Sequence, residues 1–218
     1  FFFFFFFFFF YYYYKLFLPI HNNNNNNNKY MYVYVYLLLL FLLSLPQDQS
    51  SVEDGRSDIL HWDSDELKEN IALVGMLKVE LFVTSTALDT DFTAKLIDIF
   101  PNGTPMLVQD GILRLKWRNG NFSTEMAPPL VAGQVYQITV DIGMMSYIFN
   151  SKHKIRLSIS SSNWPRFSVN WNNDKLVIDG SSGAVLAGNV VGWGRLYPSK
   201  LILPQVDLTW IKKRKLKL

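Results

Sequence analysis

The chain has no cysteine. Disulfides, thiolate metal sites and a cysteine nucleophile are therefore excluded. The compartment stays open, because a cysteine-free domain persists in either redox environment. Histidine is nearly as scarce, three in 218 residues, so any imidazole chemistry rests on His21, His61 or His153. No long stretch shows the 3.6-residue apolar period of an amphipathic helix. Positive charge is also missing from most of the chain. The formal net charge of +3 is set by the last seven residues, Lys212–Leu218, which carry +5; the first 57 balance at zero, which leaves the body at −2. Nucleic-acid surfaces need dense positive charge, so no nucleic-acid partner is expected for the body.

What is present falls into unequal parts. Ten phenylalanines open the chain, followed by four tyrosines and, at Asn22–Asn28, seven asparagines. One repeated side chain specifies no packed core, so residues 1–30 read as low-complexity sequence. With Phe1 rather than methionine at the start, a gene fragment or translated upstream sequence and a genuine N-terminus both stay open. Residues 31–46 are apolar from Met31 to Leu45 and stop at Pro46. This run falls short of the ~20 apolar residues of a membrane span and matches the apolar region of a secretory signal. Signal peptide, membrane anchor and low-complexity sequence without a targeting role all stay open. A signal or anchor implies a secreted or membrane-associated protein; otherwise the chain is expected in the cytoplasm. Residues 47–57 read as a linker, 58–208 as the folded body, and 209–218 as a basic tail with no assigned role.

Within the body the period is two. Leu77–Val83 places Leu77, Val79, Leu81 and Val83 on one face, with Lys78 and Glu80 on the other. Leu113–Arg118, Tyr136–Ile142 and Ile155–Ser160 alternate likewise. Weaker strands are expected at Phe92–Phe100, Tyr147–Phe149, Leu176–Ile178, Ala184–Val191 and Leu201–Leu203. Pro101-Asn102-Gly103-Thr104-Pro105 predicts a tight hairpin, since Asn-Gly accepts the positive φ such turns need. Many short strands with one core face and one wet face predict an all-β sandwich of jelly-roll type.

Residues that carry chemistry are few. Gly180-Ser181-Ser182-Gly183 lacks the Gly-x-Ser-x-Gly spacing of a nucleophile elbow, and none of the three histidines has a sequence partner that makes it a base. Asp89, Asp91 and Asp98 are too dispersed along strand sequence for a calcium loop. No catalytic, cofactor-binding or metal-ligating residue is assigned. The candidate site is the loop Ser162, Asn163, Trp164, Pro165, Arg166 and Phe167. Asn163 and Arg166 offer hydrogen bonds that hold the loop or meet a neighbouring domain, and Trp164, Phe167 and Trp171 offer aromatic area to an interface or to the sandwich core; Trp164-Pro165 suits a cis bond.

The run Lys154–Phe167 resembles a signature of the C-terminal, non-catalytic domain of Xaa-Pro dipeptidyl-peptidases and cocaine-esterase-like serine hydrolases. Ile59–Leu67, Val74–Val83, Asp89–Asp98, Asp110–Arg114 and Pro198–Pro204 are similar to further segments of that domain, in the same order. The resemblance implies a galactose-binding-like jelly roll over 58–208. It also implies a partner, an α/β-hydrolase catalytic domain with a serine–aspartate–histidine triad, supplied by an upstream segment or a separate chain, and dipeptidyl-peptidase or esterase activity for the parent. The alternative is a carbohydrate-binding jelly roll without hydrolase activity, its tryptophans stacking on sugar rings.

The alternation in Ile155–Ser160 sends Leu157 to the core and that in Leu77–Val83 sends Lys78 to solvent. Leu157→Ala is expected to cost about 2–5 kcal/mol and Lys78→Ala to change little; thermal melts of the two variants check the register.

Overall fold

The computed structural model describes residues 47–120, 125–173, 175 and 183–207. Ten strands are assigned among them: β1 (Gln47–Asp48), β2 (Leu60–Asp63), β3 (Ile71–Ser85), β4 (Asp91–Ile99), β5 (Pro105–Arg114), β6 (Tyr136–Phe149), β7 (Lys154–Ser160), β8 (Asn189–Gly192), β9 (Lys200–Ile202) and β10 (Gln205–Val206). A one-turn helix, α1 (Ser50–Glu53), follows β1. The expected all-β sandwich is present. One sheet runs β1-β5-β4-β7-β2. In the other, β3 pairs with β6 along one edge and with β8, β9 and β10 in turn along the other. All pairings are antiparallel.

The core is the meeting of the two inward faces. Leu77, Val79, Leu81 and Val83 of β3 and Val140 and Ile142 of β6 pack against Phe92, Ala94 and Leu96 of β4 and Ile159 of β7, all at most 3% exposed. Each fully buried aliphatic or aromatic side chain contributes roughly 1.5–3 kcal/mol. Leu157 packs half-buried against this cluster, which puts its truncation at the lower end of the range above. Lys78 is exposed and pairs with Asp141 at 3.7 Å.

Two glycines shape the sandwich. Gly143 (φ +107°) sits in β6 where the register with β3 shifts, between Leu77 and Lys78, and this bulge lets one strand run from Tyr136 to Phe149. The two expected strands Tyr136–Ile142 and Tyr147–Phe149 are thus one. Gly111 of β5 lies where that strand crosses β6; an added Cβ would run into the Asp141 carbonyl oxygen and come within 2.9 Å of Ile142 Cα.

The expected hairpin joins β4 to β5. Gly103 (φ +88°) donates its N–H to the Phe100 carbonyl at 2.8 Å, and Phe100 N–H bonds Thr104 O at 3.0 Å. Other expectations are corrected. Leu113–Arg118 is not one strand: β5 ends at Arg114 and Leu115–Trp117 is a 3₁₀ turn. The Asp89 carboxylate accepts the Lys116 backbone N–H at 2.8 Å, and Leu115 N–H bonds Thr90 O at 2.9 Å, so the chain turns in to bury Leu115 rather than staying in the sheet. Of Ala184–Val191, only the end is strand, in β8. Leu176–Ile178 lies outside the described residues.

At one end of the inner space Asp98 is 1% exposed. It accepts a hydrogen bond from Tyr147 Oη at 2.9 Å and meets His153 Nδ1 at 2.8 Å. Burial first, then the Asp98 charge, raises the Tyr147 phenol above its ordinary value. The unfolded chain would ionise this phenol near pH ~10, while the folded chain keeps it protonated. Its contribution to stability is complete below that pH and lost as pH rises further. Urea melts between neutral pH and about pH 11 should show a fall that is shallower in Tyr147→Phe than in wild type.

Candidate functional site

Strand alternation sends Asp91, Thr93, Lys95 and Ile97 of β4 away from the core. Antiparallel pairing places Arg114 and Asp110 of β5, Ser160, Ser158 and Arg156 of β7, and His61 and Asp63 of β2 on that same outer face. The period-two reading expected this face to be wet. It is not: Asp91, Thr93, Lys95, Ile97, Ser158 and Ser160 are all at most 7% exposed. The cover comes from two places. One is β1 with α1, in the segment expected to be a linker. The other is the loop after β7.

The loop contains the six candidate residues. Ser160 Oγ donates to Ser162 O at 3.0 Å, and Phe167 N–H closes a turn onto Asn163 O at 3.0 Å. The Trp164–Pro165 bond is cis. Asn163 Nδ2 and Arg166 Nε donate to the same oxygen of Asp110, at 3.2 and 2.6 Å. Asp110 is buried, with a side chain 2% exposed, while that of Arg166 is 60% exposed. Arg166 also lies over the Phe167 ring, 5.6 Å from its centroid. Trp164 is 68% exposed. The outcome is a loop pinned from beneath that presents an indole and a guanidinium to solvent.

The three aspartates are each engaged. Asp91 accepts from Arg114 Nε and Nη2, at 2.8 and 2.9 Å, and from Asn170 Nδ2 at 2.7 Å. This pairing holds the Arg114 guanidinium above the usual arginine range. Asp89 binds Asn170 Nδ2 at 2.9 Å and Lys116 Nζ at 3.2 Å, so Lys116, expected on a wet face, is buried. Asp98 lies on the opposite face of β4 from Asp91, and the two cannot share a cation.

Along the sequence no histidine has an evident partner. The fold supplies partners to both of the described ones. His153 meets Asp98. His61 Nδ1 lies 3.0 Å from Ser158 Oγ and 3.7 Å from Glu53 Oε2, and Ser158 Oγ donates to Glu53 Oε2 at 3.2 Å. A serine, an imidazole and a carboxylate are thus gathered, yet not as a relay. A relay needs the hydroxyl at one ring nitrogen and the carboxylate at the other; here both meet Nδ1. With the serine proton given to Glu53, Nδ1 must be the donor, and it cannot take that proton as a base. Ser158 also sits mid-strand and is 2% exposed.

Lys95 completes the layer. Its Nζ donates to Gln49 Oε1 at 2.9 Å and lies 3.5 Å from Glu53 Oε1. Burial is the main cause holding the amine below the usual lysine range, against the opposing charge of Glu53. Sequence reading missed this group. The one signal is that three outer-face residues near Lys95, namely Thr93, Ser158 and Ser160, are short hydroxyls, which allow close cover.

His21, residues 31–46, Gly180–Ser182 and the tail from 208 onward lie outside the described residues. No helix among the described residues is long and apolar enough to cross a membrane.

Arg166→Ala would leave Asp110 buried without its guanidinium and should cost about 1–3 kcal/mol. The loss should shrink when Asp110→Asn is already present, since the two groups act as one unit; a double-mutant cycle in urea measures it.

Comparison with known proteins identifies relatives. The family described as X-Pro dipeptidyl-peptidase C-terminal non-catalytic domain matches residues 17–202. Cocaine esterase of Rhodococcus sp. is 35% identical over 161 residues, which is 73% of this chain and 27% of that protein. A solved alpha-amino acid ester hydrolase superposes with a TM-score of 0.67 at 25% identity, over 74% of this chain and 28% of its own. An aminopeptidase from a marine sediment archaeon (Thaumarchaeota archaeon) shares the fold, with a TM-score of 0.68 at 24% identity over 75% of this chain and 28% of its own. The chain spans roughly a quarter of the length of each.

Proposed function

The chain belongs to the family of X-Pro dipeptidyl-peptidase C-terminal non-catalytic domains, and from that premise we propose that it is the accessory jelly roll of an Xaa-Pro dipeptidyl-peptidase- or esterase-like serine hydrolase. The nucleophile, base and oxyanion site belong to an α/β-hydrolase catalytic domain in another polypeptide segment. The domain runs over about 58–208, with 47–57 packed onto it. The Ser162–Phe167 loop meets the catalytic domain and shapes the approach to its active site. The carrying observation is the loop itself: its Asn163 and Arg166 are tied to the buried Asp110 while Trp164 faces outward and the Arg166 side chain stays 60% exposed. A pinned loop brings an aromatic and an arginine anchor to an interface at little entropic cost. The Ser158–His61–Glu53 group, with hydroxyl and carboxylate both on Nδ1, is not wired as a catalytic relay.

The exposed Trp164 ring also favours a second reading, a sugar-binding module in which the indole stacks on a pyranose. Glycan binding abolished by Trp164→Ala would select that reading.

The purified chain should hydrolyse neither an Xaa-Pro p-nitroanilide nor a phenyl ester; turnover by the chain alone would defeat the accessory role. Grafted in place of the stretch of cocaine esterase it matches, the chain should sustain esterase activity, and Trp164→Ala should lower it. Full activity in the variant would remove the loop from the interface.

A further inference from the structure

Residues 47–57 cross the outer face of the first sheet without burying an apolar side chain. Gln49 and Glu53 are 4% and 6% exposed, whereas Val52, the segment's one aliphatic side chain, is 37% exposed. Among the described residues, backbone attachment is confined to the two-residue β1 pairing and the bond from Gln49 N–H to Pro105 O at 2.8 Å. Hydrophobic burial therefore contributes little to seating this strap. An ion pair taken from water roughly breaks even against its own desolvation, so the Lys95–Glu53 pair adds little net hold, and the strap is kept in place mainly by the β1 pairing and the hydrogen bonds of Gln49 and Glu53.

The groups beneath the strap have a shared direction. An ammonium (Lys95 Nζ, 3.5 Å from Oε1), a hydroxyl (Ser158 Oγ, 3.2 Å from Oε2) and an imidazole nitrogen (His61 Nδ1, 3.7 Å from Oε2) converge on one carboxylate. Glu53 Oε1 makes no hydrogen bond although it is buried. Asp110, the cross-strand neighbour of Lys95, is committed to Arg166 and Asn163. Glu53 therefore fills the position of a ligand rather than that of a structural side chain with every lone pair met.

We propose that Lys95, Ser158 and His61 form a carboxylate-binding pocket that the chain's own Glu53 occupies and that an external carboxylate can enter in its place. The fitting class is a small monocarboxylate, or a larger acid whose carboxylate is carried on a narrow stem. Occupation from outside releases residues 47–57 into water, where Glu53 is solvated, and leaves β2 to β10 in place. The inference stands apart from the accessory role proposed above and does not need it.

The probe is acetate, read by thermal unfolding of the full chain at neutral pH against chloride of equal ionic strength. In Glu53→Ala, acetate should raise Tm saturably, by about 2–4 °C for a kcal-scale binding linkage. Wild type, whose pocket is filled, should respond less than Glu53→Ala, and Glu53→Ala/Lys95→Met, whose pocket lacks the cation, should show no acetate-specific rise. A Glu53→Ala chain that folds and responds no more than wild type would overturn the pocket, and so would an equal response in the double variant. Should Glu53→Ala fail to fold, wild type carries the test. Its amides at 49–57 should exchange with deuterium faster in concentrated acetate than in chloride, and equal exchange would count against the proposal.

Discussion

The pairing of β3 with β6 is the constraint on which the sandwich depends. From Ile71 to Val83 the two strands stay in register apart from one bulge, and β3's other edge carries β8, β9 and β10 end to end. Those three strands have two to four residues each and would not hold a sheet by themselves. They are ordered because β3 offers a long, twisted template whose inward residues are already buried. The bulge at Gly143 and the missing side chain at Gly111 then allow β6 and β5 to approach closely where the two sheets meet.

The first sheet is organised differently. Its central strand β4 is buried on both faces, one by the core and the other by polar cover. Burying Lys95, Asp91 and Asp110 is tolerable only because each finds a charged or hydrogen-bonding partner, and those partners come from distant parts of the chain. Apart from the buried Ile97, the cover is thereby tied to the sheet by charge and hydrogen bonds rather than by apolar contact. This gives the outer face a composition open to exchange with other charged groups, while the inner face is committed to one packing. The candidate loop and the strap are the two halves of that cover, and they meet the sheet at neighbouring strands.

Much of this was legible in the residues. The alternation in Leu77–Val83 named the inward face of β3, Asn102-Gly103 named the hairpin, and the ordered motifs from Ile59 to Pro204 named the family. The Ser162–Phe167 loop was singled out, but its anchor Asp110 was not. Asp110 follows Gln109 in a strand with no local mark of burial, and its partners lie 53 and 56 residues away. Lys116 was misplaced for a related reason: apolar–basic alternation in Leu113–Arg118 fits a half-wet strand, and the bonds to Asp89 and Thr90 turn the chain inward.

Side-chain polarity at period two is a local property, and it suffices to determine which residues face the apolar core, because that face is chosen by exclusion from water. It does not determine whether the opposite face is wet. That was decided by tertiary structure, when Glu53 came to rest on Ser158, 105 residues further along the chain. Polar groups are content in water or in a satisfied network, and only the fold selects between them.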